Sequence, residues 1–363
     1  MALKSERKTV IPQYEGLSED NITDQLLPIN KMKTQSTWTG PFLTQSPIAD
    51  TLEKNNMTAV TKFILVGFQA SQNIKNLMFF LLLVVYCFTI FMNFLIITLV
   101  STSRNLHTPM YFFLLQLSIS DILLTTDIVP KMLQIMPYYS GGTISFTDCI
   151  TQLYFFCASD GSECLLLTVM SYDRYVAICN PLRYTAIMTS KYCVILATIS
   201  WLVGFSIMLC VILSILMLHF CGPNIINHFF CDFVPIIELS CSDTNGVQLE
   251  VSLLGSLIVI IPIIIIIFSY FKIIVTTLSI PTSIGRHKAF STCSSHLIVV
   301  SIFYGSLFAV YVVPKRGQSS TTSKVLSLLY TVFTPLINPI IYSLKNNDIK
   351  KALHEHIYKH LRC

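Results

Sequence analysis

The sequence predicts an all-α membrane protein: a bundle of seven transmembrane helices with its N-terminus extracellular and its C-terminus cytoplasmic. Three observations predict it. The 363 residues are 53% hydrophobic and only 12% charged, where a soluble domain carries about 25% charge. The apolar residues fall into seven long runs, each close to the roughly 20 residues that cross hydrocarbon as a helix. The third run ends in Met170 to Cys179, MSYDRYVAIC, which holds the adjacent pair Asp173–Arg174. A charge pair kept at the edge of hydrocarbon marks function more often than packing.

Residues 1–56 are different material. They are polar, carry both signs of charge and Pro12, Pro28, Pro41 and Pro47, and have no periodic apolar run; a disordered extracellular extension is expected. No contiguous apolar signal core is present, so the first span is expected to serve as the targeting signal. The membrane domain covers 57–343, with spans at about 77–101, 110–134, 149–174, 193–217, 249–274, 288–313 and 324–343. Span five holds the run Ile260 to Ile267, broken by Pro262, which neighbouring helices can accommodate. Residues 344–363 form a cytoplasmic tail with a short amphipathic helix. No internal repeat suggests a transporter built from inverted halves.

Lysine and arginine in the short loops set the orientation. One side holds Arg104, Arg183, Lys191, Arg286, Lys288, Lys345, Lys350, Lys351, Lys359 and Arg362; the other holds mainly Asp148, Asp232, Glu238 and Asp243, with Lys315 and Arg316 as exceptions. The basic side is cytoplasmic, and Asp173–Arg174 lies on it. The sequons at Asn21 and Asn56 then fall outside, as glycosylation candidates; Asn56, just ahead of the first span, is the better one. The net charge of +5 does not imply nucleic acid, because the basic residues are scattered without aromatic-basic stripes.

Twelve cysteines are present. Cys87, Cys157, Cys164 and Cys210 lie inside apolar runs, where a thiol is ordinarily a small packed hydrophobe. Cys149, Cys221, Cys231 and Cys241 lie in or beside loops on the oxidising side. Four cysteines permit three pairings. Joining Cys149 to Cys231 would pin the loop after span four across the bundle, and Cys221 with Cys241 would close that loop on itself.

Asp121 and Glu163 lie mid-span in helices two and three. Two carboxylates at one membrane depth repel and should share a proton or a cation. Sodium held by oxygens is one reading; two protonated acids bonded to Ser118, Ser162 or Asn338 is the other. Asp160, three residues before Glu163, lies nearer the outside on a neighbouring face. It could pair with a cationic ligand or be an internally bonded acid. Near the cytoplasmic end of span seven, Asn338-Pro339-Ile340-Ile341-Tyr342 permits a kink, with Asn338 placed to bond freed backbone or Asp121. Tyr270 ends span five at comparable depth, so Tyr270 and Tyr342 are candidate alternate partners for Arg174.

Catalysis has no support. His354-Glu355-His356 does not complete a zinc motif, since position 358 is Tyr358, and His356 with His360 reads as a solvated face. No Ser/His/Asp order, Gly-rich phosphate loop or CxxC pair occurs.

Several joined motifs resemble the vertebrate olfactory receptors, tetrapod-type (class II), of the rhodopsin-like G-protein-coupled superfamily. They are Leu106-His107-Thr108-Pro109-Met110-Tyr111, Met170 to Cys179, Lys288-Ala289-Phe290-Ser291-Thr292-Cys293-Ser294-Ser295-His296-Leu297, and Pro335-Leu336-Ile337-Asn338-Pro339-Ile340-Ile341-Tyr342-Ser343-Leu344. Asn227-His228-Phe229-Phe230-Cys231-Asp232 in the long loop points to the same branch. Three departures are mild: Ser171, Ile337 and Lys345 replace the usual alanine, leucine and arginine; Met92, where glycine usually precedes Asn93, bears on close packing in span one.

The resemblance implies disulfides Cys149–Cys231 and Cys221–Cys241, sodium near Asp121 and Glu163 as the one candidate cofactor, and Asp173, Arg174 and Tyr175 as the G-protein switch with Tyr270, Asn338, Pro339 and Tyr342. It implies a plasma-membrane receptor in sensory cilia that binds a small volatile, mostly apolar odorant and activates a heterotrimeric stimulatory G protein to raise cyclic AMP. Helix faces anchored on the motifs give Phe156, Cys157, Asp160, Gly161, Leu254, Ile258, Tyr304, Leu307, Tyr311 and Thr331 as the ligand lining. A rhodopsin-like receptor for a non-odour metabolite is the alternative.

Overall fold

Long apolar runs must satisfy their backbone internally, and in the computed structural model they do so as helices. The model describes residues 60–138, 140–221, 224–311 and 320–361, all within the unit Met57–Cys363. The expected disorder of 1–56, the sequons at Asn21 and Asn56, and Lys315 and Arg316 lie outside the described residues, as do the side chains of Lys288, Lys345, Lys359 and His360.

Among the described residues seven long helices form the bundle: α1 (Gln72–Thr102), α2 (Pro109–Ile135), α3 (Phe146–Cys179), α4 (Ser190–Leu216), α5 (Asn245–Leu278), α6 (Ser283–Tyr311) and α7. Helix α7 runs through Ser320–Leu328, a π-turn Leu329–Phe333 and Thr334–Lys345. An eighth helix, α8 (Asn347–Leu361), follows. Six of the seven are long and apolar enough to cross a membrane, and α6 adds the apolar stretch Cys293–Ala309. Their outer faces expose Phe80, Phe91, Phe94, Leu202, Leu213, Ile264, Ile267 and Phe271, a belt suited to lipid rather than water.

Local chemistry sets the ends. Pro109 opens α2 at a position where its missing N–H costs nothing. The Ser145 hydroxyl caps α3 by accepting from the Asp148 N–H at 3.0 Å, and Thr189 caps α4 by accepting from Tyr192. Helix α3 continues past Arg174 to Cys179, so the charge pair sits inside the helix rather than at its end. The π-turn in α7 precedes Pro335, which lacks an N–H, and the freed geometry is steadied by the Thr334 hydroxyl donating to the Leu329 carbonyl at 3.1 Å.

Helix α3 is the spine, packed along α2, α4 and α5. It approaches α4 closely at Gly204, where a Cβ would collide with the Ser162 hydroxyl and meet the Ala158 carbonyl at 2.9 Å. A small residue lets two helices touch backbone to backbone.

The outer end carries a small sheet that the sequence reading did not anticipate. Strand β1 (Lys62–Leu65) lies between β2 (Gly142–Ser145) and β3 (Ile225–Ile226), antiparallel to the first (Phe63↔Ile144) and parallel to the second (Ile64↔Ile225). Four-residue strands are too short to show a period of two in sequence. Gly141, at φ +78°, passes so close to the Leu65 carbonyl that no side chain fits. Lys324 of α7 fastens this cap: its buried ammonium donates to the Gly67 carbonyl at 2.6 Å and to Asn227 Oδ1 at 2.8 Å.

Candidate functional site

Polar side chains gather at three depths along α3. At the cytoplasmic end, Arg174 Nε donates to Asp173 Oδ2 at 2.9 Å and a second guanidinium nitrogen donates to the same oxygen. Asp173 is fully buried and Arg174 nearly so. The other carboxylate oxygen, Asp173 Oδ1, accepts from the Tyr184 hydroxyl at 2.8 Å. Tyr184 lies in a short helical turn, Tyr184–Ile187, on the loop after α3. Burial, with the Asp173 charge beside it, keeps this phenol protonated well above its usual range, so it stays a donor.

Tyr270 and Tyr342 are both buried. The structure pairs Tyr270 with His296 of α6: the hydroxyl lies 2.6 Å from His296 Nδ1, and the rings stack with centroids 5.8 Å apart. The Tyr342 hydroxyl has no hydrogen-bond partner among the described residues. Tyr175 is half-buried, its ring 6.4 Å from that of Tyr172. Cys179 Sγ meets Thr276 Oγ1 of α5 at 3.3 Å. Asn346 Oδ1 caps α8 by accepting from the Asp348 N–H at 2.9 Å, and the Tyr111 hydroxyl reaches both Asn346 Oδ1 (2.9 Å) and Asp348 Oδ2 (3.0 Å). Exposed Arg104, Arg183, Lys191 and Lys350 form a basic rim on this face.

Mid-bundle, Asn338 Nδ2 donates to Asp121 Oδ1 at 3.0 Å, and Asn93 Nδ2 donates to the Pro335 carbonyl at 3.2 Å, so α1, α2 and α7 are tied together just ahead of Pro339. Asp121 and Glu163 are each 1% exposed. Glu163 Oε1 and Ser159 Oγ are buried with no hydrogen-bond partner among the described residues, and Ser162 is spent on the Ala158 carbonyl at 2.8 Å. Orphaned oxygens beside two carboxylates, with no basic side chain ion-paired to either among the described residues, fit a hard monovalent cation.

Toward the outside, Cys149 and Cys231 are joined with Cα atoms 5.5 Å apart, and Cys221 and Cys241 with Cα atoms 6.0 Å apart. Gln152 reinforces the first bridge by accepting from the Cys231 N–H at 2.9 Å and donating to the Asp127 carbonyl of α2 at 2.8 Å. Phe156 packs on Phe230 of the loop (5.2 Å between centroids) and Tyr330 of α7 (5.7 Å). The Tyr304 hydroxyl donates to the Cys164 carbonyl at 3.3 Å. Cys157, Asp160, Leu254, Ile258 and Tyr304 are half-buried; Leu307 and Thr331 are buried, the Thr331 hydroxyl donating to the Ser327 carbonyl at 2.8 Å. Gly161 faces α4 and α5, where a Cβ would lie 3.2 Å from Ile258 Cδ1 and 3.8 Å from Gly204 Cα. The side chain of Tyr311 lies outside the described residues.

Gln152, His296, Tyr184 and Asp127 were not singled out from the sequence. His296 had a signal, standing in the same motif as Lys288 and Ser295; an isolated polar residue such as Gln152 announces no partner. On α8, His354 stacks on Tyr358 and Glu355 pairs loosely with Lys351 at 4.0 Å.

Seven helices packed with α3 as their spine, a disulfide to the outer loop and a buried Asp–Arg pair at the inner end define a seven-helix membrane receptor. The structure of squid rhodopsin superposes with a TM-score of 0.61 at 16% identity, covering 82% of this chain and 89% of that one. Residues 82–360 match the sequence model of the family described as olfactory receptor. Olfactory receptor 6B1 of Homo sapiens is 46% identical over 308 residues, 85% of this chain and 98% of its own. Olfactory receptor 5P60 of Mus musculus is 44% identical, covering 85% and 96%. The chain belongs to the olfactory receptor family, a multi-pass membrane receptor rather than an enzyme.

Proposed function

We propose that this chain binds small volatile, mostly apolar odorants in the outer half of the bundle and activates a heterotrimeric stimulatory G protein, raising cyclic AMP at the plasma membrane of sensory cilia. The observation that carries the signalling half is the closed lock at the inner end, where Asp173 holds Arg174 on one oxygen and Tyr184 on the other. A ligand shifts two states only by its differential affinity, and moving 1:99 to 99:1 takes about 5.5 kcal/mol. In the active arrangement α6 swings away from α5, Tyr270 leaves His296, and Arg174 exchanges Asp173 for Tyr270 and the G protein's terminal helix. Arg104, Arg183 and Lys350 offer that partner a basic rim.

The orphaned Glu163 Oε1 and Ser159 Oγ support sodium as the cation at mid-bundle, with Asp121, Glu163 and Ser159 as its holders. When bound it supplies positive charge that offsets the two carboxylates. Asn338 orients Asp121 from the side of α7.

A cyclic AMP screen of an odorant panel, in cells carrying the receptor and a stimulatory G protein, tests this reading. A ligand-evoked rise absent from cells without the receptor is expected; calcium mobilisation with no cyclic AMP would assign a different G protein.

A further inference from the structure

The outer end of the bundle holds a small cavity between Gly67 just past strand β1, the start of α1, the end of α2 and Phe229 of the long loop. It has room for about one water molecule. Its wall is largely apolar, formed by Phe68, Met132, Ile135, Met136 and Phe229. One charged side chain lines it. Lys75 is only 3% exposed and donates to the Tyr138 carbonyl, itself part of the wall, at 3.1 Å. A lysine in the first turn of a membrane helix ordinarily carries its ammonium out to water; Lys75 keeps its own inside.

A second buried cation stands behind the same wall. Lys324 of α7, also 3% exposed, donates to the carbonyl of the lining residue Gly67 at 2.6 Å and to Asn227 Oδ1 at 2.8 Å. Among the described residues no carboxylate pairs with Lys324, and no Asp or Glu lines the cavity. Two ammonium groups are thus held out of water near Gly67 with carbonyl and amide oxygens as acceptors. Such oxygens carry only partial charge, whereas a buried cation is best offset by a full negative one.

The space limits what that counter-ion can be. A carboxylate or phosphate is larger than a water and brings several oxygen acceptors, which an apolar wall leaves unsatisfied. A halide needs no directed hydrogen bonds. Phe68 and Phe229 stack with centroids 5.4 Å apart, so a space that touches both meets at least one ring at its edge, where the quadrupole is positive. The cavity also lies on the extracellular side, where chloride is the abundant small anion. We infer that the cavity beside Lys75 is a chloride site. Its ion offsets the charges of Lys75 and Lys324 and fastens the start of α1, the end of α2 and the long loop together. The site shares no residue with the odorant lining or with the Asp121–Glu163 pair, and it depends on neither the odorant nor the G protein.

The test uses the full chain purified in detergent, at constant sodium and ionic strength, with chloride exchanged for gluconate. Chloride should raise the melting temperature by about 2 °C once it exceeds its Kd several-fold. The chloride NMR line should also broaden when receptor is added. Lys75→Gln, whose amide can still donate to the Tyr138 carbonyl, should remove both effects. Equal melting in the two salts with no line broadening overturns the proposal on the unaltered chain, without any variant having to fold. A chloride effect that Lys75→Gln retains in full puts the ion elsewhere and overturns it as well.

Discussion

The Tyr184 hydroxyl donates to Asp173 at 2.8 Å from the side of the carboxylate opposite Arg174, so a loop residue belongs to the resting lock of the receptor. Removing a hydrogen bond to a charged group costs about 1.5–3 kcal/mol. Tyr184→Phe should therefore weaken the grip on Arg174 and raise ligand-free cyclic AMP by about ten-fold per surface receptor. Basal signalling equal to that of the unaltered chain would show that Tyr184 does not restrain the switch.

His296 and Tyr270 make the opposite prediction in a pair. The 2.6 Å contact between them ties α5 to α6 at full burial, and activation requires Tyr270 to leave it. His296→Phe keeps the ring stack but removes the acceptor, and should raise basal signalling. Tyr270→Phe removes the new partner of Arg174 and should lower the maximal ligand-evoked response. Both are read as cyclic AMP against surface staining; the same direction of change in both variants would contradict the exchange.

Gln152 joins α2, α3 and the outer loop through two buried backbone groups. Gln152→Leu leaves the Cys231 N–H unpaired, at about 1–3 kcal/mol, and removes the tie to the Asp127 carbonyl of α2. A lower melting temperature of the purified receptor is expected with both disulfides intact by mass spectrometry. An unchanged melting temperature would mean that water or another group takes over both bonds.

These residues show what the sequence could and could not convey. Arg174 and Asp121 stand out because charge is rare inside apolar runs, and the helices follow from run length alone. The spacing of Cys149, Cys221, Cys231 and Cys241 left the pairing open, since connectivity depends on where loops cross the bundle. Gln152 and His296 carry no mark of their partners, which lie 79 and 26 residues away. Gly161, placed on the ligand-lining face by the motifs, lies where a Cβ would approach Ile258 and Gly204, a close helix contact that no sequence pattern announces. Strand β1 is four residues long, below the length at which alternation can be told from chance.

The mid-bundle oxygens predict an ion effect. With purified receptor, replacing choline chloride by sodium chloride at equal ionic strength should raise the melting temperature, by about RT ln(1 + [Na+]/Kd) in stability. Asp121→Asn should abolish the difference. Identical melting in the two salts for the unaltered chain would remove sodium from the account.

The central claim is that the buried Asp173–Arg174 pair is the signalling switch, and Arg174→Ala tests it most directly. Cells expressing the variant at matched surface density should show no ligand-evoked cyclic AMP while the purified protein keeps its ligand-induced gain in melting temperature. A full cyclic AMP response from Arg174→Ala would contradict the account.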